Sequence, residues 1–207
     1  MRRIGLSGVF VVALVSGTDA ANFAKVSVNR APATIIEAIN NSGVAAGFVT
    51  TRTSRNYGVV RTPDGQTTVF RVGTSTDAVA TGINEDATTT GYYLNPASRF
   101  LVGFIRLANG RLHAFVVAGQ HGTTPQAING RGTVTGDYED SSFIGHGFVR
   151  QPDGTIVTFE VPGALKGTYP RAINRAGDIA GRWQDGSGNY HGFVRTRDGT
   201  LTSFDVP

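Results

Sequence analysis

Ala172-Ile173-Asn174-Arg175-Ala176-Gly177-Asp178-Ile179-Ala180-Gly181 decides the fold of this 207-residue chain, because the same phrase returns three more times in altered form. Ile-Asn recurs at Ile39-Asn40, Ile83-Asn84 and Ile128-Asn129, and the asparagines step by 44, 45 and 45 residues. A second landmark, an apolar pair ending in arginine, recurs at Arg61, Arg106, Arg150 and Arg195 with steps of 45, 44 and 45. Two landmarks holding one period mark an internal repeat. A unit of about 45 residues cannot bury its own apolar face and has to lean on its neighbours, so the repeat dictates the architecture.

Outward from this phrase, the fourth unit divides into Tyr169–Asn174, Asp178–Gln184, Tyr190–Arg195 and Leu201–Val206. Each segment is short and bounded by Gly, Pro, Asn or Asp, and none has helical spacing, so the unit reads as four strands joined by turns. The turn Asn174-Arg175-Ala176-Gly177 has counterparts at Asn40 to Gly43 and Asn129 to Gly132. A glycine in the fourth place suits a left-handed residue, and Ala87 in the second unit predicts a local strain. The other tight turn is Pro63-Asp64-Gly65, Ala108-Asn109-Gly110, Pro152-Asp153-Gly154 and Arg197-Asp198-Gly199. Asp64, Asp153 and Asp198 are therefore turn residues and not catalytic carboxylates.

Alternation places Val134, Gly136 and Tyr138 on one face of their strand, as it does Ile179, Gly181 and Trp183. Trp183, Tyr138 and Tyr93 then repeat one packing position, with Val49 in the first unit. For the lone Trp183 a sugar-stacking platform is the alternative to core packing. The closing strands pair Phe70 with Val72, Phe115 with Val117, Phe159 with Val161 and Phe204 with Val206, which makes four phenylalanines the expected glue between units.

Ala38-Ile39-Asn40…Gly43…Gly47 and its two close copies, followed by His146-Gly147-Phe148-Val149 or His191-Gly192-Phe193-Val194 and by Phe159-Glu160-Val161-Pro162-Gly163, resemble the bacterial extracellular HAF repeats. The likeness runs from about Val26 to Pro207. It implies a secreted or surface protein and supplies no catalytic residues. Gly147 and Gly192 stand where that family has alanine, and Tyr57 and Val102 stand where it has histidine. The literal His113-Ala114-Phe115 falls in a different strand and is a coincidence.

Four strands per unit is the size of a propeller blade, and radial repetition shelters strand edges. The expected fold is all-β: four repeats of four short antiparallel strands forming a small, four-bladed β-propeller. An open β-solenoid, or a partial ring completed by oligomerisation, is the alternative. Val26-Ser27-Val28 copies the closing strand, which leaves Phe204-Asp205-Val206 as a surplus strand at the seam or an open edge.

Met1-Arg2-Arg3, an apolar run from Ile4 to Val15 and small residues to Ala21 have the form of a secretory signal peptide spanning 1–21, which places the protein outside the cytoplasm, in periplasm, envelope or medium. That run is too short for a comfortable membrane span. Residues 22–207 form one β-repeat domain, with repeats at approximately 26–69, 70–114, 115–158 and 159–207. With no cysteine, disulfides, thiol catalysis and Cys-ligated zinc are excluded. The net charge of +4 comes from scattered arginines with no basic stripe, so a nucleic-acid partner is not expected.

Few residues carry chemistry. His146 and His191 hold equivalent places and could line a channel or bind a metal; a strand histidine satisfied by a backbone carbonyl is the plainer reading. The variable loops are Thr50 to Asn56, Asn95 to Phe100, Glu139 to Gly145 and Gln184 to Tyr190. Asp185-Gly186-Ser187-Gly188-Asn189 spaces oxygen ligands as calcium loops do, but lacks the later glutamate, so no cofactor is assigned. Glu139, Asp140 and Asp185 could serve acid/base glycan chemistry only if neighbouring loops converge. No nucleophile elbow and no phosphate-binding glycine loop is present. The sequence thus reads as a non-catalytic binding module for a glycan or envelope component, with Glu139, Asp140, Asp185, Asn189, His146, His191 and Trp183 as candidate contacts. A glycan hydrolase or lyase and a self-assembling surface protein are the alternatives, and monomer against self-association is left open.

Overall fold

The computed structural model describes residues 31–117 and 121–205. The expected signal peptide, Val26–Val28 and Val206 lie outside these. Among the described residues there are sixteen strands and no helix. The first sheet is β1 (Ala33–Ile39), β2 (Ala45–Thr50), β3 (Asn56–Arg61) and β4 (Thr67–Phe70). The second is β5 (Ala78–Ile83), β6 (Thr89–Leu94), β7 (Leu101–Arg106) and β8 (Leu112–Phe115). The third is β9 (Gly122–Ile128), β10 (Val134–Glu139), β11 (Gly145–Arg150) and β12 (Ile156–Phe159), and the fourth β13 (Gly167–Ile173), β14 (Ile179–Gln184), β15 (Tyr190–Arg195) and β16 (Leu201–Phe204). Each is an antiparallel meander in chain order, and the sheet boundary falls after the closing phenylalanine rather than before it. A single parallel bridge, Gly145 with Gly167, joins the last two sheets, and Asn56 with Asp77 bridges the first two.

The repeated turns work as their residues dictate. Gly43, Gly132 and Gly177 take φ of 76°, 82° and 105°, and Ala87 is forced to 54°, a cost that its lack of a glycine leaves uncompensated. The asparagine that opens each turn does two jobs. The Oδ1 of Asn129 accepts the amides of Arg131 and Thr133, each at 3.0 Å, while its Nδ2 donates to the carbonyl of Asn174, 3.1 Å away in the next unit. Asn40 reaches Asn84 and Asn84 reaches Asn129 in the same way, at 3.0 and 3.3 Å. In each of the first three units one buried side chain thus closes its own turn and ties it to the next sheet.

Every first strand also skips one residue against its second. The register jumps over Glu37, Thr81, Gln126 and Arg171, so each strand carries a β-bulge at one repeated place.

The sheets stack face to face. Phe70, Phe115 and Phe159 meet Phe104, Phe148 and Phe193 of the following unit edge-on, with centroids 5.8, 6.0 and 6.0 Å apart. The guanidinium groups of Arg106, Arg150 and Arg195 lie 4.9, 5.0 and 4.9 Å over the same three closing rings. Each closing ring also lies flat over a glycine of its partner strand. A Cβ on Gly147 would come 2.7 Å from Phe159, which explains why alanine gives way to glycine there. Because the inner sheets are covered on both faces, Thr90 and Thr135 are fully buried and return their hydroxyls to the carbonyls of Phe104 and Phe148, both at 2.9 Å.

The fourth closing phenylalanine departs from the expected pattern. Phe204 is 53% exposed, against 9% for Phe70, and among the described residues no further sheet packs against it. Ile39 at the other end is 68% exposed, where Ile83 and Ile128 are 8% and 7%. Among the described residues, extensive packing joins successive sheets only. The chain is an all-β, propeller-like arc of four sheets.

Candidate functional site

An antiparallel meander sends alternate connections to opposite ends. One rim therefore carries the tight Asn-x-x-Gly and Asp-Gly turns. The other carries the longer loops between second and third strands and the links between sheets, and it gathers most of the candidate residues.

On that rim His146, near the start of β11, is held from both sides. Its Nδ1 hydrogen-bonds Oε1 of Glu160, just past the end of β12, and its Nε2 lies 3.2 Å from Oδ2 of Asp140, just past the end of β10. The ring stacks on Tyr138 at 5.1 Å. The fourth unit repeats the arrangement: His191 Nδ1 is 2.6 Å from Asp205 Oδ1, Nε2 is 3.4 Å from Asp185 Oδ2, and the ring stacks on Trp183 at 4.2 Å. The expected backbone carbonyl partner is replaced by a pair of carboxylates. Pairing of Gly147 with Phe159 and of Gly192 with Phe204 brings the residue beyond each phenylalanine alongside the histidine before each glycine. The first two units lack the cluster: Tyr57 there lies under the guanidinium of Arg71, and Val102 carries no polar group.

Ionisation follows from these contacts. Partial burial opposes the charge on His146, but the bonds to Glu160 and Asp140 outweigh it and raise its pKa above the ordinary 6.5. His191 is raised chiefly by its bond to Asp205. Asp140 is lowered mainly by the Ile144 amide, and Asp185 falls to about 2 through the Asn189 amide and side chain, with His191 adding to the effect. Each cluster is thus an imidazole clamped between carboxylates over an aromatic ring, with its protonated form favoured.

Asp185 and Asn189 do meet in their loop, but as partners of each other. Asp185 Oδ1 accepts the Asn189 amide at 2.8 Å and Oδ2 accepts its Nδ2 at 3.0 Å, which commits both oxygens that a calcium ion would need. Among the described residues no three His, Asp or Glu side chains converge to hold a metal ion. Opposing carboxylates on one imidazole point at the ring, not at a common centre. Asp140 and Asp185 each belong to the histidine of their own unit and form no acid/base pair with one another. Glu139 is exposed, and its carbonyl accepts the amide of His121 at 2.9 Å. Trp183 is half-buried, donates Nε1 to Ser203 at 2.8 Å and packs into the cluster of Val149, Val161 and Phe193, so core and site share it.

The same rim holds a group that residue patterns did not single out. His121 stacks on Phe100 at 4.8 Å with rings 5° from parallel, and Phe143 leans on it at 5.5 Å. Phe100 is 40% and Phe143 68% exposed, and Phe143 sits at φ of 61°, a conformation that costs a bulky residue about 1 kcal/mol or more. A phenylalanine within a polar loop was the one available signal.

No family model and no curated protein matches this sequence. Among solved structures the chain is similar to a streptogramin B lyase, with a TM-score of 0.52, 14% identity, 81% of this chain and 52% of that chain covered. It is also similar to virginiamycin B lyase from Staphylococcus aureus, with a TM-score of 0.43, 13% identity, and 83% and 70% covered. The streptogramin B lyase is a β-propeller, and the fold of this chain is of that kind. The chain spans about half the length of the first of them.

Proposed function

We propose that this protein is an exported, non-catalytic binding module that recognises a glycan or another envelope component through its long-loop rim. The observation that carries this reading is Phe143, an apolar ring held in a strained left-handed conformation and exposed beside His121 and Phe100. The left-handed place belongs to the loop and recurs at Ser54, Arg99 and Gly188, but the third unit fills it with an aromatic ring, which the loop presents to solvent beside His121. The two histidine–carboxylate clusters on the same rim add fixed polar groups able to meet hydroxyls beside a stacking face. The HAF-like repeat and the leader-like start agree with a place outside the cytoplasm.

The rival reading is a lyase or hydrolase, and the structurally similar streptogramin B lyase gives it a precedent. The clusters argue against it. Both nitrogens of His146 and of His191 already face carboxylates, and these contacts favour the protonated form, which works against either nitrogen taking a proton from a substrate. A glycan array probed with the wild-type protein and with Phe143→Ala tests the proposal. Binding that Phe143→Ala weakens about tenfold is expected, as is appropriate for one lost stacking contact. Absence of any bound glycan, or binding indifferent to Phe143, refutes it.

A further inference from the structure

The opposite, tight-turn rim carries a cleft of about 250 Å³ between the third and fourth sheets. Arg131, Arg195 and Arg197 line it together with Thr133, Gln151 and Gly177, and no carboxylate does. The repeat supplies its own control, since the same cleft position exists at each junction. The residue two places after the turn asparagine is Ser42, Asp86 and Arg131 at the first, second and third junctions. The residue two places after the strand-ending arginine of the following unit is Ala108, Pro152 and Arg197. Counting that constant arginine, the three positions sum to +1, 0 and +3, while Asp178, which accepts the Arg197 amide at 3.1 Å, and Asp198 flank the third cleft from outside its lining.

Two of the three junctions pack their sheets without the added guanidinium groups, so packing does not require them. Arg195 does serve the architecture: it lies over Phe159, and its Nη1 donates to the carbonyl of Thr196 at 3.3 Å. Arg131 and Arg197 are exposed, and among the described residues neither guanidinium has an ion pair or hydrogen bond. Three like charges gathered around a concave site repel one another by an amount that a bound anion would reverse.

We propose that this cleft is a second binding site, independent of the long-loop rim, for a ligand carrying an oxyanion such as a carboxylate, sulfate or phosphate group. Guanidinium groups match the oxygens of such groups in pairs, and the small volume suits a single acidic residue of a polymer. The polymer would lie across the tight turns of the third and fourth units.

The test is titration of the full protein with sodium glucuronate, sulfate and phosphate at constant ionic strength, followed by amide chemical shifts. Saturable shifts confined to the amides around Arg131, Gly177 and Arg197 are expected for at least one of the three, and which one responds names the group. The variant Arg131→Gln/Arg197→Gln should lose at least about tenfold in affinity. Both residues are exposed, so it should keep the wild-type spectrum elsewhere. Phe143→Ala should bind the anion unchanged, which separates this site from the other rim. Shifts that fail to saturate with all three anions, or that survive the double substitution, overturn the proposal.

Discussion

Replacing Asn129 with alanine should be far more damaging than replacing Asn174, although both hold the same place in their units. Asn129 is 5% exposed and makes three hydrogen bonds, two to its own turn at 3.0 Å and one to Asn174 at 3.1 Å. Each is worth about 1 kcal/mol net, and the buried Thr133 amide is left with no nearby replacement, so Asn129→Ala should cost about 3 kcal/mol. The Asn174 side chain accepts the amides of Gly177 and Asp178 at 2.9 Å and donates to Asp178, but it is exposed and among the described residues reaches no other sheet. Water replaces those bonds, and Asn174→Ala should cost about 1 kcal/mol or less. Urea denaturation of both variants, followed by far-ultraviolet circular dichroism, measures the difference. At roughly 2 to 4 °C per kcal/mol for a domain of this size, Asn129→Ala should also melt roughly 6 to 12 °C lower. Equal losses for the two variants would show that the turn alone matters and that the asparagine ladder does not couple the sheets.

Further expectations follow from other parts of the arc. Phe148→Ala empties a fully buried site against Phe115 and should cost about 3 to 5 kcal/mol in denaturant, whereas Phe204→Ala, at a half-exposed position, should cost under about 1. Ala87→Gly removes a side chain from φ of 54° and should stabilise by about 1 kcal/mol, visible as a raised melting temperature. The clusters give stability a pH window. A histidine raised by folding contributes below its ordinary 6.5 and loses that contribution as pH climbs through the raised value. The depressed aspartates contribute above 3.8 and lose it on acidification, Asp185 through about 2. The stability gap between wild type and His146→Gln/His191→Gln should therefore be widest between about pH 4 and 6.5 and shrink on either side, a profile that denaturation midpoints across pH would reveal.

The period, the four-strand unit and both turn types were legible in sequence because each rests on local backbone rules: asparagine to close a turn, glycine where φ is positive, and alternation within strands. The limits came from position in the array. Phe204 has the same neighbours in sequence as Phe159, yet only Phe159 has another sheet to lie against. The carboxylate partners of His146 and His191 were missed although both lie 14 residues downstream, at Glu160 and Asp205. Finding them required the register of the third strand against the fourth, which composition does not reveal. His121 with Phe100 and Phe143 joins two different units across a loop, and no periodic pattern points to such a meeting.

The skipped residue in each first strand gives the molecule a row of free variables. Glu37, Thr81, Gln126 and Arg171 take no place in the strand register, and their identity runs from acid to neutral to base across the four units while the surrounding scaffold stays constant. They are not idle. Thr81 already spans to the Pro125 carbonyl of the next unit at 2.7 Å, and the charge of Arg171 offsets part of the burial that raises the Asp137 carboxyl. A lineage of such proteins could retune polarity along this inner line one position at a time, with no re-registration of any sheet.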